Sequence, residues 1–379
     1  MDSENKVLIL GTSDSGGVSV YVSSYLNELK DFKFYVPFSQ SNDIDAVQNF
    51  FPKAQLVQIE QNYSFKSFFH ILTNFRKFVK KNEINIIHAH TLKAGLLATF
   101  IKLSVLFSVN LVYTGHGLRY TQKNNSTIKF IFKYIEAFAN YFSNQVIFIR
   151  NDEYNLALED KIISKTKAKL IITQISDSSE NKYSFNLRKK FKIKSRYIVV
   201  NAATVYDLKN PDLFIRIAKK TIEKNEDITF LWIGGGDEVD EINSILIKEE
   251  ISESIKFVGH IHKKYMNSIF SQIDAVLLTS KIETFPLTIL EAFMQQKVVF
   301  SSNFKGVKNL IRHDYNGFIF KENEYKKLTN LIVDVISDKN KSDKISKNAY
   351  NVFKSNFNNM EKFINEHNLV YKKLSQQNP

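Results

Sequence analysis

Residues 273–291 read IDAVLLTSKIETFPLTILE, an apolar run, a polar bend and a second apolar run, with Glu283 and Glu291 eight positions apart. The β-branched stretch 273–279 reads as a buried parallel strand, and Pro286 suits the first turn of the helix that follows, where a missing N–H costs nothing. Glu283 then belongs to the strand-to-helix loop and Glu291 to the helix. Loops at the carboxyl ends of strands are where open α/β sheets bind ligands, because unpaired amides and the helix dipole favour a phosphate. Two carboxylates beside such a loop suit sugar hydroxyls; a solvated Glu283 and a helix-surface Glu291 are the plain alternative.

Working outward, the same alternation fills the chain. In the N-terminal half, apolar and helix-patterned segments take turns at 6–10, 18–29, 34–37, 63–81, 84–88, 94–107, 111–113, 127–142 and 145–149. It restarts at 197–201, 212–224, 229–233, 237–249, 255–258, 273–279, 287–295 and 297–301. Strands alternating with helices imply βαβ units and parallel sheets. The chain has 379 residues, more than one hydrophobic core usually supports. The expectation is two doubly wound domains of class α/β, residues 1–180 and 190–357, joined through a polar, lysine-rich stretch at 176–196 that holds strand or helix fragments. A last helix-patterned segment, 358–379, is expected to pack back on the first domain.

Composition narrows the function. A hydrophobic fraction of 44% with 24% charged residues is that of a globular enzyme. The absence of cysteine excludes disulfides, thiolate metal sites and cysteine nucleophiles. The start, Met1-Asp2-Ser3-Glu4-Asn5-Lys6, lacks the basic and apolar regions of a secretory signal, so a cytoplasmic location is expected. Net charge is +13, and residues 51–150 hold 13 Lys and Arg against 3 Asp and Glu, whereas 201–379 are balanced at 25 against 23. Within the basic part, 63–81 interleaves Phe65, Phe68, Phe69, Phe75 and Phe78 with Lys66, Arg76, Lys77, Lys80 and Lys81. That segment reads either as a helix on an anionic membrane surface, peripheral at the inner face of the plasma membrane, or as an ordinary core helix under a solvated basic face. No nucleic-acid motif accompanies the charge, so no nucleic-acid partner is expected. The stretch 94–113 is interrupted by Lys102 and Asn110 and reads as a helix and a strand, not a membrane span.

Further motifs fall at strand ends. Gly11-Thr12-Ser13-Asp14-Ser15-Gly16-Gly17 follows the first strand, and glycines there let amides approach a phosphate; it is neither GxGxxG nor GxxxxGK[ST]. Lys209, before Asn210-Pro211, lies in the first loop of the second domain and suits a diphosphate as a point charge, or is a surface lysine. Gly234 to Gly236, and Val258-Gly259, end two more strands, either to admit a base edge or as plain turns. Asp43-Ile44-Asp45 resembles a DxD metal motif but sits in an early polar loop of a chain patterned for another fold. His88, His90 and His116 could converge on zinc, yet no acidic ligand stands at motif spacing. A neutral His116 hydrogen-bonding a sugar hydroxyl is the other reading, its flanking Gly115 and Gly117 letting a ligand near.

Taken in order, Gly16-Gly17, Thr114-Gly115-His116-Gly117, Lys209-Asn210-Pro211, Gly234-Gly235-Gly236, Phe257-Val258-Gly259, the Glu283 to Glu291 segment and Tyr315-Asn316-Gly317 resemble the GT4-type retaining glycosyltransferases of the GT-B fold. The resemblance spans nearly the whole chain and is strongest over 197–320. It implies two Rossmann-like domains facing across a cleft, the first binding an acceptor and the second a nucleotide sugar. His116, Glu283 and Lys209 would be catalytic: His116 near the reacting sugar, Glu283 on the donor sugar, Lys209 on the diphosphate. Gly16, Gly17, Thr204, Gly236, Val258, Thr284, Phe285, Leu287, Thr288 and Glu291 would line the donor, with Glu291 on the ribose. Members of the family transfer without a bound metal, so no cofactor and no metal are expected. Two positions depart from the pattern. Thr204 stands where the family carries an arginine and removes a bidentate phosphate donor, and Thr284 replaces a glycine and narrows the space beside the sugar.

The resemblance implies a hexosyl- or N-acetylhexosaminyl-transferase that uses a UDP-sugar, N-acetylated, on a lipid-linked glycolipid or polysaccharide acceptor of capsule or envelope biosynthesis. A UDP-sugar 2-epimerase on a similar scaffold, needing no acceptor, and a non-catalytic partner subunit, suggested by Thr204, are the other two readings.

Overall fold

The structure is a computed structural model that describes residues 5–13, 16–60, 67–122, 125–177 and 183–377. Met1 to Glu4 of the chain start, Asp14 and Ser15 of the glycine loop, residues 61–66, which include Phe65 and Lys66 of the basic aromatic segment, and 178–182 of the expected linker lie outside the described residues. The chain divides into two compact units, Met1–Gln174 with Asn359–Pro379, and Ile175–Asn358.

The first unit runs β1 (Asn5–Leu10), α1 (Gly17–Leu26), β2 (Phe32–Phe38), α2 (Ile44–Phe50), β3 (Gln55–Gln58), α3 (Phe68–Asn82), β4 (Ile86–His90), α4 (Leu92–Ser104), β5 (Asn110–Thr114), α5 (Ser126–Phe142), β6 (Gln145–Phe148), α6 (Asn151–Glu159) and β7 (Ala168–Leu170). Its seven strands are parallel, in the order β3-β2-β1-β4-β5-β6-β7. The central strands are buried on both faces, which is why they read as unbroken apolar runs. Right-handed crossovers put α1 and α2 on one face of the sheet and α3, α4 and α5 on the other, where α3 and α5 both flank α4. On the α4 side, Ile71, Phe75, Val79, Leu97 and Ile101 close over Leu8, Leu10, Ile87, Leu111 and Tyr113.

The second unit runs α7 (Leu187–Phe191), β8 (Tyr197–Ala202), α8 (Pro211–Ile222), β9 (Ile228–Ile233), α9 (Val239–Lys248), β10 (Ile255–Phe257), α10 (Met266–Ser271), β11 (Ala275–Leu278), α11 (Leu287–Met294), β12 (Val298–Ser302), β13 (Phe318–Phe320), α12 (Tyr325–Ser337) and α13 (Lys339–Asn356). Six parallel strands follow the order β10-β9-β8-β11-β12-β13. Phe214 of α8 meets Trp232 edge-on at 5.2 Å, and Trp232 stacks on Phe257 at 5.3 Å, so one aromatic column fastens helix to sheet.

The chain then rejoins the first unit as α14 (Met360–Gln376). Phe363, His367, Tyr371 and Leu374 recur at helical spacing and are buried. His367 stacks on Tyr25 of α1 with centroids 4.0 Å apart, and the Tyr371 hydroxyl lies 2.7 Å from His88 Nδ1.

Several expected boundaries shift. Pro286 precedes the first residue of α11 instead of opening the helix. The expected helix 18–29 ends at Leu26, while the fragment expected within the linker is the short helix α7. Strands β3 and β7 had no clear sequence pattern because they are edge strands, half exposed and mixed in polarity. Asp43 is the N-cap of α2, its carboxylate accepting from the Asp45 and Ala46 amides, so the DxD look-alike is a helix start. The Tyr315-Asn316-Gly317 motif is likewise structural: buried Asn316 accepts from the Arg312 amide at 2.7 Å and donates to the Leu310 carbonyl at 3.0 Å. Among the described residues no helix is long and apolar enough to cross a membrane.

Tyr371→Phe removes one hydroxyl from a fully buried polar contact and is expected to cost about 1–3 kcal/mol, whereas Tyr371→Ala, which also opens a cavity, should cost about 3–5 kcal/mol. Urea unfolding of the full chain tests both values. Equal stability of the two variants and the parent would mean that α14 does not hold the first unit's core.

Candidate active site

In the second unit the winding of the sheet reverses between the neighbouring strands β8 and β11, so the loops leaving them part toward opposite faces and open a crevice at their carboxyl ends. Lys209 arrives on the loop after β8, in a short helical turn that ends at Asn210. Asn210 adopts a left-handed conformation, φ 56°, and caps α8, with Pro211 at its first position. Glu283 arrives on the loop after β11. The Lys209 ammonium is 2.5 Å from Glu283 Oε1, and the Ser280 hydroxyl donates to the same oxygen at 2.7 Å. Backbone ties fix the pair: Thr279 Oγ1 donates to the Lys209 carbonyl at 2.9 Å, and the Lys281 amide donates to the Leu208 carbonyl at 2.9 Å. The two side chains are 17% and 11% exposed, so the pairing is shielded while a face of the ammonium still points toward solvent.

The other candidates frame this pair. Thr288, in the first turn of α11, donates to the Ala202 carbonyl at 3.0 Å, tying that helix to the end of β8. No side chain caps α11. The strand-end glycines serve close packing first: a Cβ at Gly234 would lie 1.9 Å from the Ala203 carbonyl oxygen, and one at Gly236 would lie 2.3 Å from that of Val205. Trp232 supports the same loop, its indole N–H donating to the Ala203 carbonyl at 2.7 Å. The Val258 amide donates to the Trp232 carbonyl at 2.9 Å and is spent on the sheet. Glu291 and Leu287 are half-buried on α11, as are Thr284 and Phe285 on the loop, and Phe285 meets Phe357 edge-on at 6.1 Å. Thr204 is exposed. Burial raises the Glu291 carboxyl above the usual range, and the charge of Lys263 pulls it back. Lys263, in the turn after β10, was not singled out in the sequence, because nothing local distinguishes it from a surface lysine.

The first unit has its own reversal, between β1 and β4. Gly16, φ 89°, opens α1 without a side-chain cap, and open space surrounds both Gly16 and Gly17. His116 follows β5 in a left-handed conformation, φ 48°, the kind of strained geometry that persists only when neighbours enforce it. Its Nε2 lies 2.9 Å from His90 Nδ1, and its ring meets Tyr21 edge-on at 5.0 Å. His90 Nε2 reaches the Tyr25 hydroxyl at 3.4 Å, and His88 Nε2 reaches Thr114 Oγ1 at 2.9 Å. His367 Nδ1 donates to the Phe363 carbonyl, so its Nε2 accepts from Tyr21 at 3.0 Å. These rings are knotted to one another and to tyrosines, and among the described residues no group of three or more His, Cys, Asp or Glu is arranged to hold a metal ion. Two further carboxylates shape the His116 loop, and neither was read from the sequence. Glu136 accepts from the Arg119 amide at 2.7 Å and Glu153 from the Leu118 amide at 3.2 Å.

Burial drives the histidines strongly toward the neutral form: His116 to about 3, His367 to about 4, His88 and His90 well below the usual value. Burial pushes the Glu136 carboxyl the other way, up to about 8. A histidine depressed in the folded state leaves the unfolded chain binding more protons, so its contribution to stability is full above about 6.5 and shrinks as pH falls toward the folded value. Each pH unit is worth about 1.4 kcal/mol per group. Glu136 has the opposite sign, contributing stability at low pH that fades as pH rises through about 8. With four histidines against one glutamate, urea unfolding should show a net loss of several kcal/mol on going from pH 7 to pH 5. A stability that rises over that interval would refute the neutral network.

Comparison with known proteins follows the same division. The family described as Glycosyl transferases group 1 matches residues 184–352, and that described as Glycosyl transferase 4-like matches residues 6–150. A UDP-Gal:alpha-D-GlcNAc-diphosphoundecaprenol alpha-1,3-galactosyltransferase of Escherichia coli is 24% identical over 324 residues, covering 83% of this chain and 81% of its own. The O-antigen biosynthesis glycosyltransferase WbnH of Escherichia coli is 23% identical over 85% of this chain and 87% of its own. Among solved structures, Anabaena Alr3699/HepE in complex with UDP and glucose is similar with a TM-score of 0.79 at 18% identity, over 98% of this chain and 99% of that one. Sucrose-phosphate synthase from Thermosynechococcus elongatus follows with 0.78 at 17% identity, over 99% and 100%. At such identities the structural likeness establishes the fold, two doubly wound α/β units of the GT-B type.

Proposed function

Given that this chain belongs to the group 1 glycosyl transferases, we propose that it moves an N-acetylated sugar from UDP to a lipid-linked acceptor of envelope or capsular polysaccharide, with retention of anomeric configuration. It is an enzyme of hexosyl or N-acetylhexosaminyl transfer, drawing on a nucleotide sugar and serving lipid-linked or polysaccharide substrates. The single observation that supports the finer reading best is the Lys209–Glu283–Ser280 constellation at the β8/β11 reversal. An ammonium with three donors beside the start of a helix suits the β-phosphate of a leaving nucleotide, whose negative charge grows as the glycosidic bond breaks. Glu283, held by Lys209 and Ser280, is assigned to a donor-sugar hydroxyl, and Glu291 on α11 to the ribose. The amides at the start of α11, with Thr284, Phe285, Leu287 and Thr288, line the donor. Lys263 supplies a second cation near Glu291 where Thr204 offers none.

In the first unit, His116 and the amides at Gly16 and Gly17 are assigned the roles that the resemblance gives them. His116 acts as a neutral hydrogen-bonding group, since burial keeps it uncharged. No metal takes part in the proposed chemistry: the acceptor hydroxyl attacks the same face of the sugar that the phosphate leaves, and the departing phosphate oxygen takes the proton. Because the acceptor is lipid-linked, the enzyme is placed as a peripheral protein at an anionic membrane, through its basic first unit.

Incubation with UDP-sugars and a lipid-linked acceptor should release UDP and yield a product with the donor's anomeric configuration. Glu283→Gln and Lys209→Ala should each lower that rate by about a hundredfold or more. Release from GDP-sugars alone, or conversion of the sugar without an acceptor, would overturn the assignment.

A further inference from the structure

We infer that the outer face of helices α3, α4 and α5 docks onto an anionic lipid bilayer, with α5 as the inserting element. The inference names the surface for the membrane contact proposed above and rests on that reading.

Helix α5 is apolar on both sides: Phe132, Ile135 and Ala139 pack on the first unit's core, and a second apolar row faces outward. Its buried residues are Glu136, Ala139 and Asn140, while Ile128, Ile131, Tyr134, Phe138 and Tyr141 recur at spacings of three and four along its exposed side. An isolated exposed leucine or phenylalanine needs no explanation, but a continuous apolar stripe marks an interaction surface. The stripe continues onto both neighbouring helices. Phe138 lies 6.2 Å from Phe100 of α4, Phe100 lies 5.4 Å from Phe68 of α3, and Phe107, just past α4, stacks on Phe142 at 6.4 Å. Leu106, Tyr141 and Phe69 are the most exposed members, at 85%, 73% and 72%.

The charge of this face selects the partner. The three helices carry eight Lys or Arg, of which Lys102 is buried and Lys133 pairs with Asp160 at 2.7 Å, and one acid, Glu136, which is buried. On α3 the exposed basic side chains Arg76 and Lys80 share a stripe with Phe69, at helical spacings of seven and eleven. Aromatic side chains flanked by basic ones, with exposed acids confined to Glu83 past the end of α3 and Asp160 paired with Lys133, match the boundary of an anionic bilayer, where rings sit among head groups and lysines meet phosphates. A second copy of the chain would bring this basic rim against itself and is disfavoured by like charge.

Vesicles of phosphatidylcholine with and without phosphatidylglycerol provide the test. The full chain should sediment with the anionic vesicles, less so at high salt, and the exposed-site variant Phe130→Ser/Tyr134→Ser/Tyr141→Ser should weaken this by about tenfold or more. UDP release with the lipid-linked acceptor dispersed in detergent, without vesicles, should be unchanged in that variant, which also reports that it folds. Phe130→Trp offers a direct readout: the chain's one tryptophan, Trp232, is fully buried, so a new signal quenched by brominated lipid reports insertion of α5. If the parent fails to sediment with either vesicle, the membrane reading itself falls. If parent and triple variant sediment alike, only the assigned face falls. If the same substitutions instead dissociate a dimer without lipid, the face joins two copies and the inference is overturned.

Discussion

The second unit's candidate site is built around the 2.5 Å contact between Lys209 and Glu283, and that contact exists because β8 and β11 are neighbours in space though far apart in sequence. Reversed winding leaves no helix crossing the gap between their loops, so charged side chains from both can meet there without being covered. The pair is mostly shielded from water, which makes each charge costly without the other. Ser280 and the backbone ties between the two loops hold the carboxylate in one orientation. A pairing of this kind positions an ammonium more tightly than a surface lysine could, because both long side chains have already given up their freedom before any substrate enters.

Much of this was legible in the sequence. A parallel sheet buried on both faces writes itself as short apolar runs, and the central strands β1, β4, β5, β8, β9, β11 and β12 were visible for that reason. Edge strands such as Gln55–Gln58 were not, since one side of each faces water and the pattern dissolves. In the site, Lys209 and Glu283 could be named from their positions at strand ends, but their mutual contact spans 74 residues and no local pattern carries it. The strand-end glycines were read either as admitting a base edge or as plain turns, and Gly234 and Gly236 let the β9 and β8 loops touch backbone to backbone. Lys263, Glu136 and Glu153 escaped because each looks like any helix or loop charge until the fold brings its partner.

The first unit shows what a buried polar cluster asks of its surroundings. Four histidines and three tyrosines fill the space between β4, α1 and α14, and they tolerate burial only by remaining neutral and sharing hydrogen bonds. The helix α14, supplied from the far end of the sequence, completes this set with His367 and Tyr371. Of the three histidines read as possible zinc ligands, His88 and His90 engage both ring nitrogens with hydroxyls and with His116, and that arrangement holds the His116 ring through its Nε2.

The phase of α5 follows from the same need. Glu136 must face inward to accept the Arg119 amide, and Asn140, one turn on, must face inward to donate to the Ile162 carbonyl at 3.2 Å. With 3.6 residues per turn, fixing two inward positions fixes the phase of the whole helix, and residues 128, 131, 134, 138 and 141 are carried to the opposite side. Were solvent the only neighbour there, polar residues at those positions would cost nothing to the loop that Glu136 supports. That they are instead Ile, Ile, Tyr, Phe and Tyr is the observation from which the membrane docking of this face is proposed, since an interface of lipid head groups and acyl chains accommodates both that composition and its lysine border.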